Sequence, residues 1–180
     1  FLVLYTLSFV LDAADGMAAR ALNQCSSFGA ILDMITDRAA TCGLLVLLSH
    51  LLGSEYALAA ALLIGLELTS HYVRMYATLS IGGASHKDTS KAKYSFLALY
   101  YANRLFMGSL CVGQEFLYLA LYAWHFYPEV DALKYLVYGL TPLFLGKQLA
   151  NLQQLLDGMQ HLADRDAAAF IAKHRHGDNL

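Results

Sequence analysis

The sequence predicts an all-α, polytopic membrane helix bundle, and three observations support this fold class. Of the 180 residues, 58% are hydrophobic and 14% charged, whereas a soluble domain is about 45–50% apolar and about 25% charged. Only 2 prolines occur, and the segments rich in Leu and Ala favour helices over strands. Apolar residues surround whole segments, as in TCGLLVLLSHLL. A soluble helical bundle with an apolar core is the alternative, but its helices would show a polar stripe.

A helix that spans a membrane needs roughly 20 mostly apolar residues, and five segments meet this requirement. The first opens the chain, the second follows the polar CSS, and the third follows GSE. The fourth follows the polar loop GGASHKDTSKAK, and the fifth follows YPEVD. The predicted spans are residues 1–20, 29–52, 56–80, 94–122 and 132–160.

No linker divides the chain, so we predict one membrane domain over residues 1–163 and a polar, frayed tail over residues 164–180. The chain opens inside an apolar run. We therefore expect a further span upstream, which would make six in the full-length protein.

The distribution of charge predicts the orientation. If the aspartate-rich end faces the cytoplasm, every one of the 12 Lys and Arg residues except Lys134 falls toward that side, as the positive-inside rule requires. The aromatic cluster WHFY at 124–127 suits the opposite interface. The net charge of −2 argues against a nucleic-acid partner. The 3 cysteines include no close pair, so they indicate neither a disulfide framework nor a zinc site.

Four aspartates stand out in this apolar chain. Asp12 and Asp15 are three residues apart, and Asp33 and Asp37 are four apart, so each pair lies on one helix face. The first pair ends one span and the second begins the next, so all four carboxylates can converge near the cytoplasmic boundary. Burying unneutralised acids is costly, which predicts a bound cation. Oxygen ligands suit Mg²⁺ or Mn²⁺ rather than zinc, and four carboxylates suffice for two ions about 4 Å apart.

Gly16 and Gly29 lie close to the aspartates in sequence and would let a bulky ligand approach the backbone. Arg20 can donate hydrogen bonds to phosphate oxygens. Two alternatives compete with the metal site. The aspartates could cap helices or pair with Arg20 and Arg38, or they could serve an ion transporter. A transporter predicts acids distributed across the membrane, whereas these gather at one end.

The spacing D-x2-D-G-x2-A-R-x8-G-x3-D-x3-D, from Asp12 to Asp37, resembles the signature of the CDP-alcohol phosphotransferase family. The resemblance implies an integral membrane enzyme with six spans and two divalent ions, which transfers a group from a CDP-linked donor to an alcohol and releases CMP. It implies four metal ligands, with Asp37 also the general base, and binding of CDP-diacylglycerol by three further residues. The metal ligands are Asp12, Asp15, Asp33 and Asp37, and the donor-binding residues are Gly16, Arg20 and Ser26.

The flanking sequence resembles the eukaryotic phosphatidylinositol synthases of this family, notably in TSHYVRMY at 69–76, SHK at 85–87 and VGQEFLYLALY at 112–122. The resemblance implies CDP-diacylglycerol and myo-inositol as substrates, the bilayer as the setting, and an endoplasmic reticulum enzyme with its site facing the cytoplasm. It allows a homodimer. The alternative is another acceptor: glycerol 3-phosphate, serine or inositol phosphate.

Inositol carries six hydroxyls and needs several hydrogen-bond partners. The expected partners follow the third span: Ser85, His86, Lys87, Asn103 and Arg104. Lys147 and Gln148 are weaker candidates, and the lysines of the loop could instead contact anionic lipid. Glu67 and His71, four residues apart, are expected to hydrogen-bond and hold helices together.

Overall fold

The computed structural model describes residues 1–80 and 94–175. These residues form six α-helices and one 3-10 turn, with no strand among them, which confirms the all-α prediction. The helices are α1 (Leu2–Ala21), α2 (Ser27–Leu52), α3 (Ala57–Ser80), α4 (Ser95–Ala102), α5 (Arg104–Phe126) and α6 (Asp131–Arg175), and the 3-10 turn is Ser54–Tyr56.

A short connection reverses the chain between α1 and α2. Asn23 adopts φ 53°, a left-handed conformation that asparagine tolerates better than most residues. The Gln24 N–H donates to the carbonyl of Ala19 at 2.8 Å. Ser26 then begins α2, because its Oγ accepts the N–H of Gly29 at 3.0 Å, which satisfies one free donor of the first turn. This short turn brings the end of α1 close to the start of α2, so side chains of both helices can contribute to one site.

The fourth predicted span, residues 94–122, is wrong as a single helix. It consists of α4 and α5, with a break at Asn103, whose backbone is extended at φ −109° and ψ 100°. The Asn103 Oδ1 accepts the N–H groups of Leu105 and Phe106, both at 3.1 Å. Asparagine at this position is a strong N-cap, so it begins a new helix that continues to Phe126.

The expected frayed tail is also different in the structure, because α6 continues as a helix to Arg175. Residues 163–174 are exposed, so this extension leaves the bundle rather than packing against it. The division of the chain at residue 163 stays a prediction, since helical structure runs straight through it.

Helices α3, α5 and α6 form the centre of the bundle, and α2 packs against both α3 and α5. One apolar cluster joins α2 to α5 through Leu44, Leu48 and Tyr118, and another joins α4, α5 and α6 through Leu97, Leu110 and Ala150. Helix α1 contacts the rest through few side chains. Its Tyr5 hydroxyl donates to Glu115 Oε2 at 2.7 Å.

Within residues 1–80 and 94–175, three helical segments are long and apolar enough to cross a membrane, judged by length and composition: Leu2–Ala21, Ser54–Ser80 and Arg104–Phe126. They confirm the prediction of a polytopic membrane bundle. Helices α2 and α6 are also long, at 26 and 45 residues, but the number of five spans stays a prediction.

Candidate functional site

Three of the four aspartates converge where α1 meets α2. Carboxylate oxygens of Asp12, Asp15 and Asp33 all lie within 4.8 Å of one another. Asp15 is exposed and the other two are half-buried, so the group is open to solvent on one side. A donor set of carboxylate oxygens alone fits a hard divalent cation such as Mg²⁺ or Mn²⁺. The residues present therefore fit the metal that the sequence predicts.

Asp37 lies outside this group of three, one helical turn beyond Asp33 on α2. Its carboxylate accepts a hydrogen bond from Arg38 Nη2 at 3.3 Å. Asp12, Asp33 and Asp37 line one cavity of about 280 Å³. The role of Asp37 as a metal ligand stays a prediction.

The donor-binding residues predicted from the sequence divide into two groups. Gly16 and Arg20 line the same cavity as the aspartates. A Cβ built at Gly16 would lie 3.4 Å from Arg20 Nη1, so the missing side chain leaves space beside the guanidinium. Ser26 is not among the cavity-lining residues, and its hydroxyl caps α2.

The opposite wall of the cavity comes from α3, α4 and α5. It is formed by His71, Tyr100, Tyr101, Met107, Gly108 and Cys111. Both ring nitrogens of His71 and the Tyr100 hydroxyl have partners within the protein, and the small Gly108 widens the space. The cavity thus has an acidic wall on α1 and α2 and a mostly neutral wall opposite.

The predicted inositol-binding residues are not brought into this cavity where the structure describes them. Asn103 uses its side chain to cap α5, and Arg104 is exposed at the first position of that helix. Ser85, His86 and Lys87 lie outside the described residues. The inositol-binding role of all five stays a prediction.

The sequence prediction missed a buried ionic cluster behind the aspartates. Arg38 lines the cavity, and its Nη1 lies 2.8 Å from Glu67 Oε1 and 2.6 Å from His71 Nε2. Glu67 was expected to bond His71, and its carboxylate lies 3.8 Å from His71 Nδ1. The shorter contact, however, is with Arg38 of another helix, so the Arg38–Glu67 pair joins α3 to the aspartate-bearing end of α2.

Helix α6 completes the cluster with a row of buried polar side chains. Asn151 Nδ2 donates to Glu67 Oε2 at 2.5 Å, and Lys147 Nζ donates to Asn151 Oδ1 at 2.5 Å. Further along, Asp157 pairs with Arg74 of α3. The spacing of residues 147, 151, 154 and 157 repeats every three or four positions, which places them on one face. That spacing was the signal in the sequence for a polar surface turned inward.

Comparison of the sequence with known proteins identifies the family to which this site belongs. The family model for CDP-alcohol phosphatidyltransferases matches residues 1–126, which include all four aspartates and the cavity-lining residues of α1 to α5.

The chain belongs to the CDP-alcohol phosphatidyltransferase family.

Curated relatives extend the similarity through most of the chain. A CDP-diacylglycerol–inositol 3-phosphatidyltransferase of Candida albicans is 43% identical over 166 residues, covering 92% of this chain and 71% of its own. The protein of the same name from Saccharomyces cerevisiae is 40% identical over 175 residues, covering 97% and 79%. The human protein of that name is 38% identical over 169 residues, covering 91% and 79%. No solved structure gave a significant match. The resemblance drawn from the motif is confirmed, and so is the prediction of a transferase of this family.

Proposed function

We propose that this CDP-alcohol phosphatidyltransferase is a phosphatidylinositol synthase, which transfers the phosphatidyl group of CDP-diacylglycerol to myo-inositol and releases CMP. The observation that carries the proposal is the similarity at 38–43% identity, over more than nine-tenths of the chain, to proteins named for this reaction. The acidic cavity of α1 and α2 supports it, because carboxylates can hold the divalent cations that bind a pyrophosphate.

We place two divalent ions, Mg²⁺ or Mn²⁺, at the aspartates. Asp12, Asp15 and Asp33 would hold them through the oxygens that lie within 4.8 Å of one another, and Asp37 would complete the set. When bound, such ions neutralise charge on the pyrophosphate and on the departing CMP. Three aspartates, Asp12, Asp33 and Asp37, line this cavity with only two arginines, Arg20 and Arg38, and the excess negative charge favours cation binding.

The chain's own residues bind the donor and move the proton. Gly16 leaves space next to the Arg20 guanidinium, which donates hydrogen bonds to phosphate oxygens. Asp37 accepts the proton of an inositol hydroxyl. That oxygen forms a bond to the lipid-bearing phosphorus while the bond from this phosphorus to the CMP oxygen breaks, and CMP leaves with the electron pair. The alternative route forms a covalent aspartyl intermediate first.

The charges around the cavity favour a neutral acceptor over a phosphorylated one. Among its described lining residues, the positively charged side chains are Arg20 and Arg38. Arg38 is already paired with Glu67 at 2.8 Å, and Arg20 is assigned to the donor. An acceptor such as inositol phosphate or glycerol 3-phosphate would need further cations for its own phosphate.

The membrane setting follows from the fold, and we propose the endoplasmic reticulum with the aspartates facing the cytoplasm. Positive charge concentrates at the aspartate-bearing end in that orientation. The lipid chains of the donor would then stay in the bilayer while its head group reaches the cavity. A homodimer would be compatible with this arrangement.

The test is CMP release by the full-length protein in membranes supplied with CDP-diacylglycerol and Mn²⁺ or Mg²⁺. Inositol, inositol phosphate, serine and glycerol 3-phosphate are supplied separately. Of the four acceptors, we expect only inositol to support CMP release, and we expect this release to be lost in Asp37→Asn. Asp131→Asn is the matched control, because Asp131 is exposed at the first position of α6. Release with a different acceptor would refute the inositol assignment and leave the metal site standing. Equal activity of Asp37→Asn would exclude Asp37 as the base.

A further inference from the structure

We infer that Glu67 is a positioning residue for this site, because it holds the Arg38 guanidinium back from the aspartates and so keeps them available to divalent cations. The inference rests on the proposed metal-dependent function. It concerns a residue of α3 that would touch neither substrate nor cation and would act only through Arg38.

Arg38 is held between two acidic groups. Its Nη2 donates to Asp37 Oδ2 at 3.3 Å, a long contact, while its Nη1 lies 2.8 Å from Glu67 Oε1. The same Nη1 lies 2.6 Å from His71 Nε2. The two shorter contacts are with α3, so the guanidinium is drawn toward the bundle interior and only loosely contacts the aspartate cluster.

Glu67 is itself fixed by α6. Its side chain is 2% exposed, and its Oε2 accepts a hydrogen bond from Asn151 at 2.5 Å. The Lys147 ammonium lies 3.7 Å from Oε1 and donates to Asn151 at 2.5 Å. One buried carboxylate thus faces two cationic side chains, and a rigid amide fixes its orientation.

Electrostatics explains why the position of Arg38 matters. Arginine binds carboxylates through two parallel hydrogen bonds when it can reach both oxygens. A guanidinium that turned fully to Asp37 would occupy oxygens that a cation needs. Glu67 prevents this turn because the attraction between opposite charges is stronger in the buried environment than at the half-open aspartate cavity.

Removing the charge of Glu67 should therefore release Arg38. A partly buried cation that loses its closest counter-charge is unfavourable, and the carboxylate still in contact with Arg38 is that of Asp37. In Glu67→Gln the guanidinium would move toward the aspartates and compete with the metal. The defect would be a weaker response to metal, which a high metal concentration overcomes. A residue that only pins helices together would not produce this behaviour.

The experiment measures Mn²⁺ dependence in two ways on the full-length protein, purified in detergent. One is the rise in unfolding temperature on adding Mn²⁺, which reports binding independently of activity. The other is CMP release from CDP-diacylglycerol and inositol. For Glu67→Gln we expect about a ten-fold increase in the Mn²⁺ concentration that gives a fixed rise in unfolding temperature. We expect the same increase in the half-maximal Mn²⁺ concentration for CMP release, with release near the wild-type level at saturating Mn²⁺.

Asp157→Asn is the matched control. Asp157 is also a buried carboxylate that pairs with an arginine between α3 and α6, but neither Asp157 nor Arg74 lines the cavity. We expect its half-maximal Mn²⁺ concentration to equal that of the wild type. A comparable increase in Asp157→Asn would overturn the inference, because any lost buried carboxylate would then have the same effect.

A double variant tests the route through Arg38. Glu67→Gln with Arg38→Gln removes the competing guanidinium and should bring the half-maximal Mn²⁺ concentration back to the wild-type value or below it. Failure of this recovery would refute the inference. If Glu67→Gln alone does not fold, Glu67→Gln with Lys147→Gln restores the charge balance and is measured instead.

The wild-type measurements separate the two hypotheses. If the wild type releases no CMP with inositol, the proposed function fails, whereas the unfolding temperatures still decide whether Glu67 controls metal binding. If the wild type is active and Glu67→Gln shows an unchanged Mn²⁺ dependence, only the role of Glu67 is refuted.

Discussion

The contact between α5 and α6 at Gly113 allows a prediction whose size can be worked from distances. A Cβ at Gly113 would lie 2.6 Å from Leu143 Cβ, whereas ordinary contacts begin at 3.4 Å. The difference, 3.4 minus 2.6, means that the helices of Gly113→Ala must separate by about 0.8 Å. Because Leu143 Cβ is attached to the backbone, a change of rotamer cannot relieve the clash.

The separation also affects a neighbouring hydrogen bond. Gln148 Nε2 donates to Gln114 Oε1 at 2.7 Å across the same interface, and a shift of that size would stretch the bond to about 3.5 Å, too long for a good hydrogen bond. Overpacking costs about 1–3 kcal/mol, and the lost hydrogen bond about 1 kcal/mol. The better helix propensity of alanine returns about 1 kcal/mol. We therefore expect Gly113→Ala to lower the free energy of unfolding by about 2 kcal/mol.

The assay is thermal unfolding in detergent, followed by far-ultraviolet circular dichroism. A loss of this size corresponds to an unfolding temperature about 4–8 °C lower for a chain of this length. Gly139→Ala on α6 is the control, since no atom lies within 4 Å of its added Cβ, and it should be neutral or stabilising. An unfolding temperature for Gly113→Ala equal to that of Gly139→Ala would refute the packing argument.

Three further predictions concern the site. Asp33→Asn should reduce CMP release at least about 100-fold, because it removes one of three converging carboxylates, whereas the unfolding temperature without metal should not fall; a fall would indicate a structural role. Gly16→Ala should raise the KM for CDP-diacylglycerol about ten-fold with unchanged stability, since its Cβ meets Arg20 at an ordinary 3.4 Å; an unchanged KM would contradict the steric argument. Ser26→Ala should destabilise α2 by about 1 kcal/mol. Ser26→Asn should restore the cap, and an Asn variant that is stable yet impaired in donor binding would support a substrate contact.

The aspartate site was predictable because its information is local. Asp12 and Asp15 share one helix, Asp33 and Asp37 the next, and a five-residue connection from 22 to 26 joins the two helices. Spacing of three or four residues fixes which side chains share a face. A short connection leaves few ways to arrange two neighbouring helices.

The ends of the helices were harder to predict. Asn103 and Arg104 interrupt an otherwise apolar segment, but two polar residues do not by themselves show whether a helix continues or breaks there. The break depends on one side chain that satisfies two backbone N–H groups, a local competition that hydrophobic pattern does not register. The segment after residue 163 led to the opposite error, because a frayed tail was predicted where the structure has a helix. Its exposed residues have good helix propensity and continue α6 to Arg175.

By itself, the sequence determined the helical membrane class, the acidic motif and the family, since composition, period and spacing are properties of residues close together in the chain. Only the tertiary structure decided that Glu67 pairs with Arg38 rather than chiefly with its helical neighbour His71, and that Asn151 and Lys147 hold it there. These partners come from α2, α3 and α6, and residues 38 and 151 are far apart in sequence. Burial makes their pairing obligatory, because a charge inside an apolar bundle must find a counter-charge on whichever helix packs against it.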